Sequence, residues 1–325
     1  MKCILFRDYS KNIENMRRIK DGRNIFVIIV TFNGKKYFER CISSVLSANE
    51  GINIIVVDNA SNDGTPDMIA EKFPDIVLFK NDKNIGFGQA NNMGIKYAIE
   101  NDCDYVFLLN QDAYIQPTTI THLVSVSEMH PEYGILSPMH FANDNSRIDP
   151  AFLQYIADWR NTDDHLIEDM YFNRLKEDYC TNYVNAAAWL IPRNTLNIIG
   201  GFDPFFFHYG EDNNYLQRVR FHGLKIAICP NSAIIHDRLE RMSYNKRDSE
   251  FHEFLCDITD ITHHIRICEY QASCFRKMVS MCLKGDKCRS SRYSRQWQYI
   301  LKNHSQIRKS RKMNETKGLT WLDKM

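Results

Sequence analysis

Short apolar runs alternate with amphipathic stretches through the first third of the chain, and each run ends in polar residues. Ile25-Phe-Val-Ile-Ile-Val30 is apolar at every position, as a strand buried on both faces must be. Thr31-Phe-Asn-Gly34 ends it. Phe38, Cys41, Ile42, Val45 and Leu46 then recur at helical spacing and predict a helix laid on the sheet. Ile54-Ile-Val-Val57 predicts a second strand, closed by Asp58-Asn-Ala-Ser-Asn-Asp-Gly64. Thr65-Pro66 predicts a helix start, with Thr as cap and Pro at the first helical position. Ile76-Val-Leu-Phe79 predicts a third strand, and Asn81 to Gly88 a polar, glycine-containing loop. Ala90, Met93, Gly94, Tyr97 and Ala98 again have the helical period. Tyr105-Val-Phe-Leu-Leu109 predicts a fourth buried strand, ending in Asn110-Gln-Asp112.

This alternation implies a mainly parallel sheet with right-handed crossovers, an α/β fold. Thr31 and Asn33, Asp58 and Asn59, Asn81 to Asn84, and Asn110 to Asp112 then share one sheet edge, where ligands collect in such folds. Further on, a helix is expected from after Pro117 to Met129 and a short strand at Ile135–Pro138. Residues 143–178 read as an acidic, loop-rich insertion of the kind that binds substrate or forms a lid. Tyr183 to Ile191 reads as a strand and Gly200 to Pro204 as a turn. A helix opens at Glu211 and is closed by Gly223, a last strand follows at Lys225–Cys229, and Ile234–His236 comes after a short turn. Helices are expected beyond Glu250. The expected division is an N-terminal arm over 1–24, an α/β domain over 25–250 and a basic, mainly helical extension over 251–325.

Composition adds a charge asymmetry. The 325 residues carry a formal net charge of +1, which disfavours nucleic acid as a partner of the whole chain. From Arg276 to Met325, however, 14 Lys and Arg stand against 3 Asp and Glu, so the tail is basic and the body mildly acidic. The 10 cysteines show no C-x-x-C pair and read as reduced thiols of a cytosolic protein. Cys3-Ile-Leu-Phe6 is too short for a signal peptide, and Ile25 to Val30 is far short of the ~20 residues of a membrane span.

Each candidate residue has a plain reading beside a chemical one. Asp112 is a turn residue or a ligand for a hard divalent cation, which takes carboxylate, water and phosphate oxygens. Asp58 caps a turn or accepts hydrogen bonds from a nucleoside. The loop Asn84-Ile-Gly-Phe-Gly88 is a simple turn or a close approach to a phosphate-bearing ligand. Glu211 and Asp212 favour a helix N-terminus by ~0.3–1 kcal/mol, or supply a general base. The run Phe205-Phe-Phe-His-Tyr209 suits an apolar wall against a sugar ring. His236 is a structural histidine or a metal ligand.

Six segments occur in one order: Val27–Asn33, Val57–Gly64, Asn84–Asn92, Leu108–Asp112, Gly200–Asp203 and Tyr209–Asp212. Together they resemble family 2 glycosyltransferases of the GT-A fold, in particular the rhamnosyltransferase-like branch, over roughly residues 25 to 240. The resemblance implies inverting transfer of a sugar from a nucleotide-diphospho-sugar, with dTDP-rhamnose or a UDP-hexose as donor. It places Thr31, Asn33 and Asp58 at the nucleoside, Asn84, Gly86 and Asn110 at the donor pocket, and Asp112 on a Mn²⁺ or Mg²⁺ ion with the diphosphate. Asp212 matches the catalytic base, and His236 sits where some members carry a metal ligand. Trp189, His208, Tyr209 and Glu211 form the expected acceptor or sugar wall. Asn110 departs from the stricter motif, which has Asp there, and Gln111 stands where Pro is common.

The implied role is surface polysaccharide synthesis on a saccharide or lipid-linked acceptor, in the cytoplasm or at the inner face of the membrane. Two alternatives differ in class. A sugar nucleotidyltransferase should carry a Gly- and Lys/Arg-rich loop after the first strand, where this chain has Thr31-Phe-Asn-Gly34. An inactive binding module should lack the acidic pair, which is present. In the basic tail Arg292, Arg295, Trp297, Tyr299 and Leu301 read either as a solvated helix face or as a peripheral contact with anionic lipid.

Overall fold

The computed structural model describes residues 22–48, 51–143, 146–158, 160–162, 165–237, 246–263 and 265–322. The expected arm over 1–24 lies almost wholly outside the described residues. The first half is a strand-helix alternation: β1 (Ile25–Thr31), α1 (Lys35–Leu46), β2 (Ile52–Asp58), α2 (Thr65–Lys72), β3 (Val77–Lys80), α3 (Phe87–Glu100) and β4 (Tyr105–Asn110). β5 (Ala113–Ile115), α4 (Thr119–Met129) and β6 (Tyr133–Ala142) follow. The insertion contains α5 (Pro150–Ala157) and α6 (Leu166–Tyr171), and β7 (Tyr179–Thr181) ends it. Then come β8 (Ala188–Pro192), α7 (Arg193–Ile199), α8 (Glu211–Phe221), β9 (Lys225–His236), α9 (Lys246–Thr259), α10 (Ile267–Leu283) and α11 (Lys287–Asn314).

The strands form one sheet in the order β3-β2-β1-β4-β8-β6-β9-β5, with β7 on the side of β9. The long ladders β1–β2, β1–β4, β2–β3 and β6–β9 are parallel, whereas β8, β5 and β7 pair antiparallel. Successive residues of β1 enter opposite cores. Phe26 and Ile28 pack with α3 residues Ala90, Ile95 and Ala98, while Val27 and Ile29 pack with Phe38, Cys41 and Ile42 of α1. Both faces are dry, which is why the strands read as unbroken apolar runs. The chain winds from β1 to β2 and β3 on one side and reaches β4 on the other. That reversal opens a crevice at the carboxyl ends of β1 and β4.

Five expected elements differ. Thr65 is the first residue of α2, with Gly64 in the cap position, and Lys225–His236 is one unbroken strand. Only Ala188–Pro192 of the expected strand over 183–191 pairs with β4, and Tyr183 to Ala187 form a loop. The strand expected at 135–138 spans Tyr133–Ala142, every residue of it buried. The insertion carries two short helices, and Asp149 caps the first, α5, through the Ala151 and Phe152 amides, both at 2.9 Å, with Pro150 in the first turn.

The C-terminal helices are not a detached extension. Phe254 and Ile258 of α9, Cys274 of α10, and Ile300 and Ile307 of α11 form a third apolar cluster that Phe205 joins from the catalytic domain. Buried Asp203 accepts hydrogen bonds from the Ser310 hydroxyl at 2.5 Å and the Asn314 amide at 3.2 Å. Buried Arg218 of α8 donates to the Gly201 carbonyl and, at 3.0 Å, to the Thr320 hydroxyl.

Candidate active site

β1 and β4 end side by side at the crevice, and a side-chain amide joins their loops. Gln111 accepts from the Phe32 amide at 3.0 Å and donates to the Phe32 carbonyl at 3.2 Å. A Cβ on Gly34 would overlap this amide, so a side chain there would push Gln111 off Phe32. The β1 and β2 ends are joined by Thr31, fully buried, whose hydroxyl donates to Asp58 Oδ1 at 2.9 Å. Asp58 Oδ2 takes the Ser61 amide at 3.0 Å. Each such bond to a charged acceptor contributes roughly 1.5–3 kcal/mol. Asn33, at φ +50°, accepts from the Asn62 amide and donates its own to Ser61, which ties the two loops together. The residues expected at the nucleoside thus form one hydrogen-bonded rim.

The loop before α3 closes on the same rim. Asn59 donates to the Gly86 carbonyl and accepts from the Ile85 amide, while Asn84 caps its own turn through the Gly86 amide at 2.8 Å. Gly86 has φ +89°, and a Cβ there would overlap the Phe207 carbonyl. The donor-side loop and the loop that leads to α8 are therefore in backbone contact. Asn92 of α3 reinforces this by pairing with the backbone of Phe202, whose amide it takes at 2.6 Å and whose carbonyl it meets at 2.8 Å.

α8 begins at Glu211, after Gly210 at φ +94°. Asp212 is half-buried, and burial raises its carboxyl above the ordinary range. The Tyr183 hydroxyl, donating at 2.9 Å, and the Asn213 and Ala186 amides oppose that rise by stabilising the anion. Tyr183 is in turn braced by Tyr155 of α5, edge-on at 4.9 Å. The Asn161 amide spans the two tyrosine carbonyls at 2.8 and 3.0 Å. Glu211 points inward, 6% exposed, with Oε2 lacking a partner. Burial, and then the neighbouring Asp212 charge, push it up to about 8.

At the far end of the crevice, pairing of Ala113 with His236 sets Asp112 beside the end of β9. His236 Nε2 lies 3.4 Å from Asp112 Oδ1, with the imidazole buried and the carboxylate about a quarter exposed. Neighbouring ligands of an octahedral cation at about 2.1 Å stand about 3 Å apart, so this pair fits one divalent ion. Among the described residues no group of three or more His, Cys, Asp or Glu is placed to hold a metal. A cation held by this pair would take its other ligands from water and phosphate oxygens. Asp149 Oδ2, at the cap of α5, stands 3.9 Å behind His236 Nδ1. Asn110 lies at the β4 end, its amide bonded to the Ala187 carbonyl at 2.9 Å.

The family model described as "Glycosyl transferase family 2" matches residues 26–186. Residues 26–186 are a family 2 glycosyltransferase domain. The chain is 25% identical over 235 residues to a Mycobacterium tuberculosis N-acetylglucosaminyl-diphospho-decaprenol L-rhamnosyltransferase, covering 65% of this chain and 75% of the relative. It is 24% identical to the dTDP-rhamnosyl transferase RfbF of Shigella flexneri, covering 66% and 69%. Among solved structures, GalNAc-T7 with UDP, GalNAc and Mn²⁺ superposes with a TM-score of 0.54 at 16% identity, over 74% of this chain and 51% of that one. S. aureus TarS with UDP gives 0.51 at 14% identity, over 76% and 69%. These structures share the GT-A fold with this glycosyltransferase.

Two residues of the expected wall are not there. Trp189 is fully buried in β8, stacked with Phe202 at 6.3 Å and tilted against Tyr215, because its face of the sheet is covered by α8 and its preceding loop. Glu211 is likewise a packed residue, set against Gly88. Of the aromatic run, Phe205 packs against the C-terminal helices, Phe206 is buried, and Phe207 and His208 are exposed. Tyr209, half-buried at φ +65°, meets His252 of α9 at 5.5 Å. From the sequence Gln111 stood out only as a departure from the motif, and Tyr183, Tyr155 and Asp149 did not stand out as site residues. The Asp149-Pro150 pair was a legible helix start. Nothing in the pattern around Tyr183 marks its hydroxyl as a partner of Asp212.

Proposed function

We propose that this glycosyltransferase moves a sugar, with inversion, from a nucleotide-diphospho-sugar to a saccharide or lipid-linked acceptor in surface polysaccharide synthesis. The reading places it in the cytoplasm, at the inner face of the membrane. The observation that carries it is the backbone contact between Gly86 and Phe207, which sets the donor rim directly against the loop delivering Asp212. Names of relatives support the substrate class: rhamnosyl donors in two, a decaprenol-linked acceptor in one, and UDP-GlcNAc bound to TarS.

In this mechanism Thr31, Asn33, Asp58 and Asn84 hold and orient the nucleoside side of the donor. Asp112 and His236 would hold a Mn²⁺ or Mg²⁺ ion, which would supply positive charge for the departing diphosphate. Asp212, ionised and oriented by Tyr183, takes the proton of the acceptor hydroxyl. The acceptor oxygen bonds to the anomeric carbon from the face opposite the leaving group. The carbon–oxygen bond to the diphosphate breaks, and its electron pair leaves with the nucleoside diphosphate. His208 and Tyr209, at the mouth of α8, stand on the acceptor side.

A screen of nucleotide sugars with purified protein tests the reading. One donor should raise thermal stability and be hydrolysed slowly; a ligand at 100 times its Kd adds about 2.7 kcal/mol. Failure of every nucleotide sugar to bind would overturn it.

A further inference from the structure

α10 turns an apolar stripe to solvent. Cys274 is its buried residue, and with Ile267 and Tyr270 it faces the cluster shared with α9 and α11. On the opposite side Cys268, Ala272, Phe275, Val279, Cys282 and Leu283 recur at steps of three and four, so they form one line along the helix, and all are exposed. Phe275 is 46% exposed, Val279 40% and Leu283 84%. The line continues onto α11, where Trp297 meets Phe275 at 5.7 Å and Leu301, one turn further, is 50% exposed.

Positive charge frames this stripe. Over residues 267–314, 12 Lys and Arg stand against 2 Asp and Glu. Arg276 and Lys284 on α10 and Lys287, Arg295 and Lys302 on α11 are exposed. Of the tail residues first singled out, Arg292 and Tyr299 turn inward instead. Arg292 pairs with Glu250 at 2.9 Å and Tyr299 packs edge-on to Phe251 at 5.2 Å.

We propose that the α10–α11 hairpin is a docking surface for an anionic lipid bilayer, lying in the interface with the α10 stripe inserted. Apolar side chains in a row, flanked by long cationic ones that reach back to headgroups, are what such an interface accepts. The charge argues for this occupant. A second copy of the chain would bring the same positive field against itself, whereas an anionic leaflet complements it. Among the described residues no helix is long and apolar enough to cross a membrane, so the contact is made from one side. Its purpose, bringing the site to a lipid-linked acceptor, rests on the function proposed above.

The test is flotation of the full chain with phosphatidylcholine vesicles, with and without phosphatidylglycerol. The protein should float with the anionic vesicles, less so at high salt, and stay behind with the neutral ones. Val279→Glu with Leu283→Glu, both at exposed positions, should lower binding about tenfold without changing the circular dichroism. Arg276→Glu with Lys284→Glu should lower it in the same way. Absence of binding to anionic vesicles, or equal binding by the variants, would overturn the proposal. So would a dimer that the same variants dissociate, or retention of a soluble protein partner that they abolish without any effect on vesicles. Flotation needs neither donor nor acceptor, so its outcome is independent of whether transfer is observed.

Discussion

Replacing Glu211 with Gln should stabilise the protein by an amount that grows with pH. Glu211 is 6% exposed, its Oε2 has no partner, and its carboxyl is held at about 8 against an ordinary value of 4.5. Between those values the unfolded chain has released a proton that the folded chain keeps. Stability of the parent protein therefore falls as pH rises, by about 1.4 kcal/mol per unit. From pH 5 to pH 7.5 that amounts to about 3 kcal/mol. Gln has no proton to keep, so the difference in unfolding free energy between variant and parent should widen by about 3 kcal/mol over that interval. A fixed offset from the new buried amide cancels in the comparison. Urea unfolding at the two pH values measures it. Parallel pH dependences would refute the reasoning and show that Glu211 is ionised in the fold. The same argument leaves Asp212 beside an uncharged neighbour at pH 7, which lets the base ionise without like-charge repulsion.

Tyr183→Phe removes a hydrogen bond that favours ionised Asp212, so the acid limb of the kcat/KM profile should move to higher pH, at a cost of about 1.5–3 kcal/mol in urea unfolding; an unmoved limb removes Tyr183 from this role. Gly86→Ala forces a side chain to φ +89° and into the Phe207 carbonyl, and should cost about 1–3 kcal/mol in urea unfolding and weaken donor binding; an unchanged midpoint would contradict the contact. His236→Gln should raise the Mn²⁺ concentration for half-maximal turnover by about tenfold or more, and an unchanged requirement would take His236 off the metal.

The nucleotide half of the fold was legible because both faces of β1, β2 and β4 are buried, which leaves continuous apolar runs ending at polar loops. The same property hid the fate of Trp189. In a strand covered on both faces, periodicity does not tell a ligand-facing aromatic from a core one. The loop over 183–187 reads as a strand by composition, yet it curves to aim the Ala186 amide and the Tyr183 hydroxyl at Asp212, and that curvature depends on the insertion it packs against. Three-residue β5 is too short to show a period, although it is what sets Asp112 beside His236. In the basic tail, charge was readable and orientation was not. Tyr299 and Arg292 face inward, and the exposed apolar line lies on α10.

The central claim is that Asp212 is the base of a sugar transfer from a nucleotide donor. Once the donor screen has named a substrate, transfer and donor binding should be measured side by side for Asp212→Asn. The account predicts a fall in kcat of about 10²–10⁴ with the donor Kd unchanged within about threefold. Full transfer activity in that variant would contradict it.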